Sequence, residues 1–367
     1  MAQMWVSMGP QHPMTHGLWR LRVRVDGEII TEADPDMGWL HRSVEKLTEL
    51  YEYPFNTIFT DRLCYASPLT WSHCYVAAVE DLMGVEVPER ARYMRVIVLE
   101  LQRILSHLMW FAAYGPDLGL FAAAVYGFRE REDFMDRIQE LTGQRLNYNY
   151  LRIGGLKHDF PPGWTDRLLE TCDRFLPHLE EYKGMCENNS IFRMRTQGVG
   201  ILPAKDAMNL GVTGPNLRAS GVDYDARVDN PYEAYGELDF PKVVATEGDC
   251  YARFVVRLYE LEQSVGILRQ AIKQMPDKGK YRARAPRNGP KCDRVFDGTG
   301  VARVEDSRGE AMFYVIGQGN EYPYRVKIRS PAYTTIGASP VMLVGSRVAD
   351  IPVILGSIDM CIGETDK

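Results

Sequence analysis

Residues 92–113 constrain the fold most. Ile97, Leu101, Ile104, Leu105 and Leu108 recur at helical spacing and form one apolar stripe. Glu100, Arg103 and His107 lie three or four residues apart on another face of the same predicted helix. Charged groups on so apolar a helix are either an internal polar network or a reactive cluster, and residue type alone leaves both open. Pro116 ends the helix, and Asp117 follows in the break, where a carboxylate can cap the next helix or serve a site.

Around this helix the periodicity changes toward both ends of the chain. Leu21, Val23 and Val25 alternate with Arg20, Arg22 and Arg24, the period of a half-buried strand. Asp26-Gly27 is a tight-turn signal, and Ile29-Ile30 begins a return strand. Ahead of that hairpin, Gly9-Pro10-Gln11-His12-Pro13-Met14-Thr15-His16-Gly17 reads as a loop able to project side chains into a cleft. Helical patterns dominate from about residue 42 to 185 and return over 249–274, where Val255, Leu258, Leu261, Val265, Leu268 and Ile272 keep register. A Gly/Pro-rich excursion separates them near 198–245, and residues 276–300 read as a polar, basic surface loop. Strand alternation resumes near Val304, with Tyr324, Val326 and Ile328 on one face. The expected class is α+β, a central helical bundle flanked by small β-sheets from both ends, with the two ends meeting in space. Three regions are expected: 1–35 with the hairpin and loop, 36–275 as the helical core, and 276–367 as a mixed α/β region.

Composition narrows the function. The formal net charge of -6 over 367 residues argues against a nucleic-acid partner. No run of 18 uncharged apolar residues is present, so no membrane-spanning helix is expected, and the N-terminus lacks the pattern of a secretory signal. The seven cysteines, Cys64, Cys74, Cys172, Cys186, Cys250, Cys292 and Cys361, form no Cys-x-x-Cys pair. Reduced thiols fit that count better than a disulfide scaffold or a structural zinc site.

Ten ordered strings carry a family resemblance: GPQHPMTHG (9–17), GWLHRSVEKL (38–47), DRLCYASPLTWSHCY (61–75), ELQRILSHL (100–108), FREREDFMD (128–136), GPNLRASGV (214–222), EGDCYARFVVRL (247–258), RVEDSRGE (303–310), PYRVKIRSPAY (323–333) and ADIPVILGSIDMCIGETDK (349–367). Together they resemble the hydrogenase-like, 49-kDa-type quinone-site subunit of complex I and of its cyanobacterial, chloroplast and archaeal relatives. The resemblance implies the fold of a nickel-iron hydrogenase large subunit. Such hydrogenases hold their metals with two Cys-x-x-Cys pairs, whose positions here fall on Cys64 and Ser67 and on Cys361 and Glu364. One thiolate of each pair is replaced, so no stable nickel-iron centre is expected, and Cys64 and Cys361 are either relics packed as small apolar groups or residues with a redox or labile metal role.

The resemblance also implies a site. A quinone head group would take two electrons from a 4Fe-4S cluster in a neighbouring small subunit, since this chain lacks four cysteines spaced to hold one. Tyr65 and His16 match the pair that binds and protonates the head group, and Asp117 matches the carboxylate partner of that histidine. His12 is expected to hold the loop by hydrogen bonding, and Arg42 to lie near the cluster as a permanent cation. Asn147 stands where many relatives have a histidine near the cluster. An asparagine cannot protonate, which implies a lower, pH-insensitive cluster potential and a low-potential acceptor. The implied setting is the aqueous, cytoplasmic face of a proton-translocating membrane complex, with a cluster subunit, a 30-kDa-like subunit, a two-cluster ferredoxin-like subunit and a membrane-arm quinone-channel subunit as partners. A nickel-iron hydrogenase subunit and a non-catalytic scaffold are the competing readings.

Overall fold

The computed structural model describes residues 3–11, 17–283 and 297–367. His12, His16 and Cys292 lie outside them. Near the N-terminus, β1 (Met4–Gln11), β2 (Trp19–Asp26) and β3 (Ile29–Asp36) form an antiparallel meander in that order. Trp19, Leu21, Val23 and Val25 point into the core, as a period of two requires. The opposite face carries a cross-strand ladder, Arg20–Asp36, Arg22–Asp34 and Arg24–Glu32. Residues 9–11 of the anticipated loop extend β1 instead, because its partner β2 runs far enough to pair Gln11 with Trp19 across a bulge.

Five long helices follow: α1 (Pro68–Met83), α2 (Glu89–Tyr114), α3 (Phe121–Thr142), α4 (Trp164–Glu187) and α5 (Cys250–Gln274). The central α2 packs against α3 and α5, and nearly every residue from Ala91 to Tyr114 is buried. By length and composition the stretch Glu89–Leu118 could cross a membrane, but 89% of its most apolar window is covered by the rest of the protein. It is the core helix of the bundle. Trp110, Tyr114 and Phe254 join α2 to α5 by ring contacts, with Trp110 lying 5.4 Å from Tyr114 and 5.3 Å from Phe254. The excursion near 198–245 contains three short helices, Ala204–Asn209, Pro215–Arg218 and Ala226–Asp229.

The C-terminal sheet is β4 (Asp297–Asp306), β5 (Gly309–Gln318) and β6 (Pro323–Arg329), again antiparallel in chain order. Val304, Phe313, Val315, Val326 and Ile328 pack it onto Trp71, Tyr75 and Val79 of α1. Alternation places Tyr324 on that inward face, yet it is exposed, because a register shift between Ile316 and Gly317 leaves it as the unpaired residue of a bulge between Pro323 and Arg325. At Gly300 the strand runs so close to α1 that a Cβ would sit 2.0 Å from the Ala78 carbonyl oxygen, so only glycine fits. Two short helices close the chain, α6 (Ile351–Ser357) and α7 (Ile362–Asp366).

The two ends do meet. The Ile30 amide donates to Ser346, and Asp366 accepts from the amides of Gly38 and Leu40 at 2.9 and 2.8 Å. These contacts hold β3 and the residues that follow it against Ser346 and the end of α7.

Candidate functional site

Three segments and one helix face converge at the centre. Cys64, Tyr65 and Ser67 lead into α1. Ser307 and Arg308 form the two-residue turn between β4 and β5, Asp359, Cys361 and Glu364 come from the last turns of chain, and Ser106 projects from α2. A hairpin turn is normally exposed, yet Ser307 and Arg308 are both buried. Close approach makes this possible: a Cβ on Gly214 would meet the Gly309 Cα at 2.2 Å, so two glycines let the turn sink into the core.

Arg308 organises the cluster. Its Nη2 donates to Asp359 Oδ1 at 3.1 Å, and its Nη1 donates to Ser307 Oγ at 3.2 Å and lies 3.4 Å from both Ser106 Oγ and Cys64 Sγ. The sulfurs of Cys64 and Cys361 and a carboxylate oxygen of Glu364 all lie within 4.8 Å of one another. Burial works against both thiolates. At Cys361 a hydrogen bond with Cys64 and the Arg308 charge override it and bring the thiol down to about 7, whereas burial and the proton shared with Cys361 push Cys64 well up. Of the two sulfurs, Cys361 is therefore the one that gives up its proton more readily.

Ser67 and Glu364, the two oxygen-bearing residues beside Cys64 and Cys361, have partners of their own. Ser67 Oγ donates to Asp306 Oδ1. Glu364 accepts from Trp71 Nε1 at 3.2 Å, Ser330 Oγ at 2.9 Å and the Ala332 amide at 3.3 Å. Burial, and then the Cys361 charge, push the Glu364 carboxyl well above the usual carboxylate range.

Tyr65, next to Cys64, is 38% exposed, whereas its neighbours Cys64 and Ala66 are buried. Burial of its hydroxyl, reinforced by the Cys361 and Cys64 charges, pushes it up to about 12, so it keeps its proton at neutral pH. Arg42 clamps this segment to the chain's end, donating to Arg62 O at 2.7 Å and Gly363 O at 2.5 Å. Asn147 has a left-handed backbone with φ of 54°, and its Oδ1 is buried without a hydrogen-bond partner among the described residues. The Asn149 amide donates to Asp61, which also accepts from Ser72, so the Asn147 loop is braced against the DRLCY segment. Asp117 sits in the 3-10 turn Gly115–Leu118 after α2. Its Oδ2 is buried and unpartnered among the described residues, and burial raises its carboxyl. The anticipated Asp117–His16 pair, and His12 with it, fall outside the described residues.

Glu100, Arg103 and His107 belong to a fully buried network. Glu100 accepts from Tyr235 and Ser264 and pairs with Arg227; His107 meets Glu260 at 2.9 Å; Arg218 bridges Glu260 and Glu305. Four carboxylates, of Glu100, Asp225, Glu260 and Glu305, face three guanidinium groups, of Arg103, Arg218 and Arg227. Complete burial and that surplus of acid push Glu305 up to about 7. Arg103 connects this network to the cluster by donating to the backbone carbonyls of Glu305 and Asp306.

Sequence reasoning singled out the string 303–310 and the C-terminal string but gave Asp306, Arg308 and Asp359 no role. The available signal was a two-residue turn carrying an arginine between an acid and a glycine, and nothing local says that such a turn is buried.

These segments and the surrounding architecture are those of a hydrogenase-like large subunit. The family described as "Respiratory-chain NADH dehydrogenase, 49 Kd subunit" matches residues 117–294 and 290–367. The D subunit of the NADH-quinone oxidoreductase of Geobacillus kaustophilus (strain HTA426) is 42% identical, with 99% of this chain and 98% of the relative covered, and its counterpart in Bacillus anthracis is 40% identical over the same shares. A chain in the structure of the membrane-bound sulfane sulfur reductase, an archaeal respiratory membrane complex, superposes with a TM-score of 0.95 at 36% identity, covering 100% of this chain and 98% of that one. The chain belongs to the 49-kDa subunit family of the respiratory-chain NADH dehydrogenase.

Proposed function

We propose that this chain forms the quinone-reducing site of a proton-translocating, complex I-type dehydrogenase. The observation that carries the reading is Tyr65, a hydroxyl that keeps its proton, partly open to solvent, beside a buried thiol–arginine cluster. A bound quinone supplies an acceptor for two electrons and two protons. The chain's own residues do the rest: Tyr65 donates a hydrogen bond and then its proton as negative charge develops on one oxygen, and His16 does so at the other. Asp117 holds His16 protonated until that proton leaves, and the carboxylate then exposed is the trigger for the pumping partner. His12 holds the loop.

The electrons come from a 4Fe-4S cluster of a neighbouring small subunit. Supporting this, the one group of metal-ligating side chains among the described residues is Cys64, Cys361 and Glu364, too few thiolates for such a cluster. Arg42 and Asn147 face that cluster, and the unpartnered buried Oδ1 of Asn147 fits a contact completed by another subunit. Phe121, Val125 and Phe128 on α3 are exposed close to Asp117, an apolar face suited to a partner. The partners are the cluster subunit, a 30-kDa-like subunit, a two-cluster ferredoxin-like subunit and a membrane-arm quinone-channel subunit, with this chain on the cytoplasmic side of the membrane.

Tyr65→Phe in the assembled complex tests the reading. Loss of a general acid lowers quinone reduction by about 10²–10⁴-fold, while assembly and electron entry into the clusters stay intact. Normal quinone reduction by a fully assembled Tyr65→Phe complex sinks the proposal and favours a scaffold.

A further inference from the structure

We propose that Cys64 and Cys361 are a reversible dithiol–disulfide pair, closed by a peroxide oxidant, and hence a modification site at the centre of this subunit. The inference is independent of the quinone reading. Its basis is geometric. The two sulfurs belong to one group spanning no more than 4.8 Å, and Arg308 Nη1 lies 3.4 Å from Cys64 Sγ. A disulfide needs the sulfurs at about 2.05 Å, a closure that side-chain rotation at two non-helical positions can supply. Cys64 lies in the turn ahead of α1, and Cys361 is extended (φ -123°, ψ 112°) ahead of α7. Both cysteines are buried, and the route proposed for a small oxidant is past Tyr65, adjacent to Cys64 in sequence and partly exposed.

Three of the four other described cysteines are built differently. The Cys74 thiol donates to the carbonyls of Ala302 and Ala311, and Cys172 and Cys186 are buried in the apolar core along α4. None of these three belongs to a ligand group with a second cysteine among the described residues. They serve as internal controls.

The chemistry balances with hydrogen peroxide as the oxidant. A thiolate of the pair, favoured by the Arg308 charge, attacks one peroxide oxygen; the O–O bond breaks, a sulfenic acid forms, and the departing hydroxide takes a proton to become water. The second thiol then attacks the sulfenic sulfur, the S–O bond breaks, and the oxygen leaves as a second water. Two thiols have lost two electrons and two protons, and the peroxide has been reduced to two waters. The product ties the segment before α1 to the segment before α7 and removes a negative charge from beside Arg308.

The test uses the purified, pre-reduced complex. It is titrated with hydrogen peroxide, quenched with N-ethylmaleimide, digested without reductant and read by mass spectrometry. The expected result is a linked peptide containing residues 64 and 361. It should increase with peroxide and vanish on treatment with a phosphine reductant, while Cys74, Cys172 and Cys186 stay unlinked. In Cys64→Ser the expected product is a dimedone-trappable sulfenic acid on Cys361. Wild-type complex in which Cys361 stays reduced, or passes to sulfinic acid without any linked peptide, overturns the proposal. The wild-type arm decides the question even if the variant fails to assemble.

Discussion

Arg308→Met should be the most damaging single change at the centre of this subunit. The side chain is 1% exposed, and its main charge partner, Asp359 at 3.1 Å, is 2% exposed. Removing one member of a buried pair strands the other, at a cost of about 3–5 kcal/mol. Arg257, whose charge also acts on Asp359, holds the loss toward the lower end. For 367 residues the unfolding entropy is on the order of 0.8 kcal/mol per kelvin, so the melting temperature should fall by about 4–6 °C. Arg308→Lys keeps the charge but cannot reach Asp359 and the Ser106–Ser307 hydroxyls together. It should lose one or two hydrogen bonds, about 1–2 kcal/mol, and melt only about 1–3 °C below the parent. Adding Asp359→Asn to Arg308→Met should recover much of the loss, because the stranded charge is gone. The assay is a thermal melt of the assembled complex at neutral pH that follows release of this chain. If Arg308→Met melts with the parent, or the double variant is no better than the single one, the cluster is not held by this charge pair.

Three further outcomes can be checked. Burial raises the Asp61 carboxyl from 3.8 to about 6. It therefore contributes stability that is complete below about pH 4 and is lost as pH rises through 6, on the order of 3 kcal/mol; Asp61→Asn should flatten the stability profile between those limits, and an unchanged profile rules the assignment out. Redox titration of the neighbouring cluster across pH should give a flat potential in the wild-type complex and a slope approaching about 60 mV per pH unit in Asn147→His; a steep slope already in the wild type removes the argument from asparagine. Elemental analysis should find nickel far below one per chain, and a value approaching one returns the chain to hydrogen chemistry and makes the reading of Ser67 and Glu364 wrong.

Local periodicity carries what depends on neighbours in sequence. The Arg20–Arg24 alternation, the Asp26-Gly27 turn and the stripe from Ile97 to Leu108 are all expressed where the pattern puts them, because each is decided within one strand pair or one helix. Family strings carry Cys64, Tyr65, Cys361 and Glu364 to one place, which no periodicity could do. What neither conveys is burial decided from afar. Met4–Gln11 becomes a strand because β2 is there to pair with it. The Ser307-Arg308 turn reads as surface until Gly214 and Gly309 let it approach the core. Arg308 gains its role only through Asp359, Ser106 and Cys64, which lie 51, 202 and 244 positions away in the chain.

Ser67 and Glu364 explain how the centre stays closed. Ser67 is bonded to Asp306 in the β4–β5 hairpin, and Glu364 is bonded to Trp71 of α1 and to Ser330. Ser67 and Glu364 therefore join elements that are far apart in sequence, through a hydroxyl–carboxylate bond and a buried carboxyl. A buried carboxyl of raised proton affinity costs less in this position than a carboxylate would, because the neutral form spares the desolvation of a charge. The same logic accounts for Arg308. The Arg308 guanidinium supplies a positive charge beside the two sulfurs that favours loss of a proton from Cys361. The centre is therefore held by hydrogen bonds and one buried cation, and Tyr65 stands at its partly open side with its proton still in place.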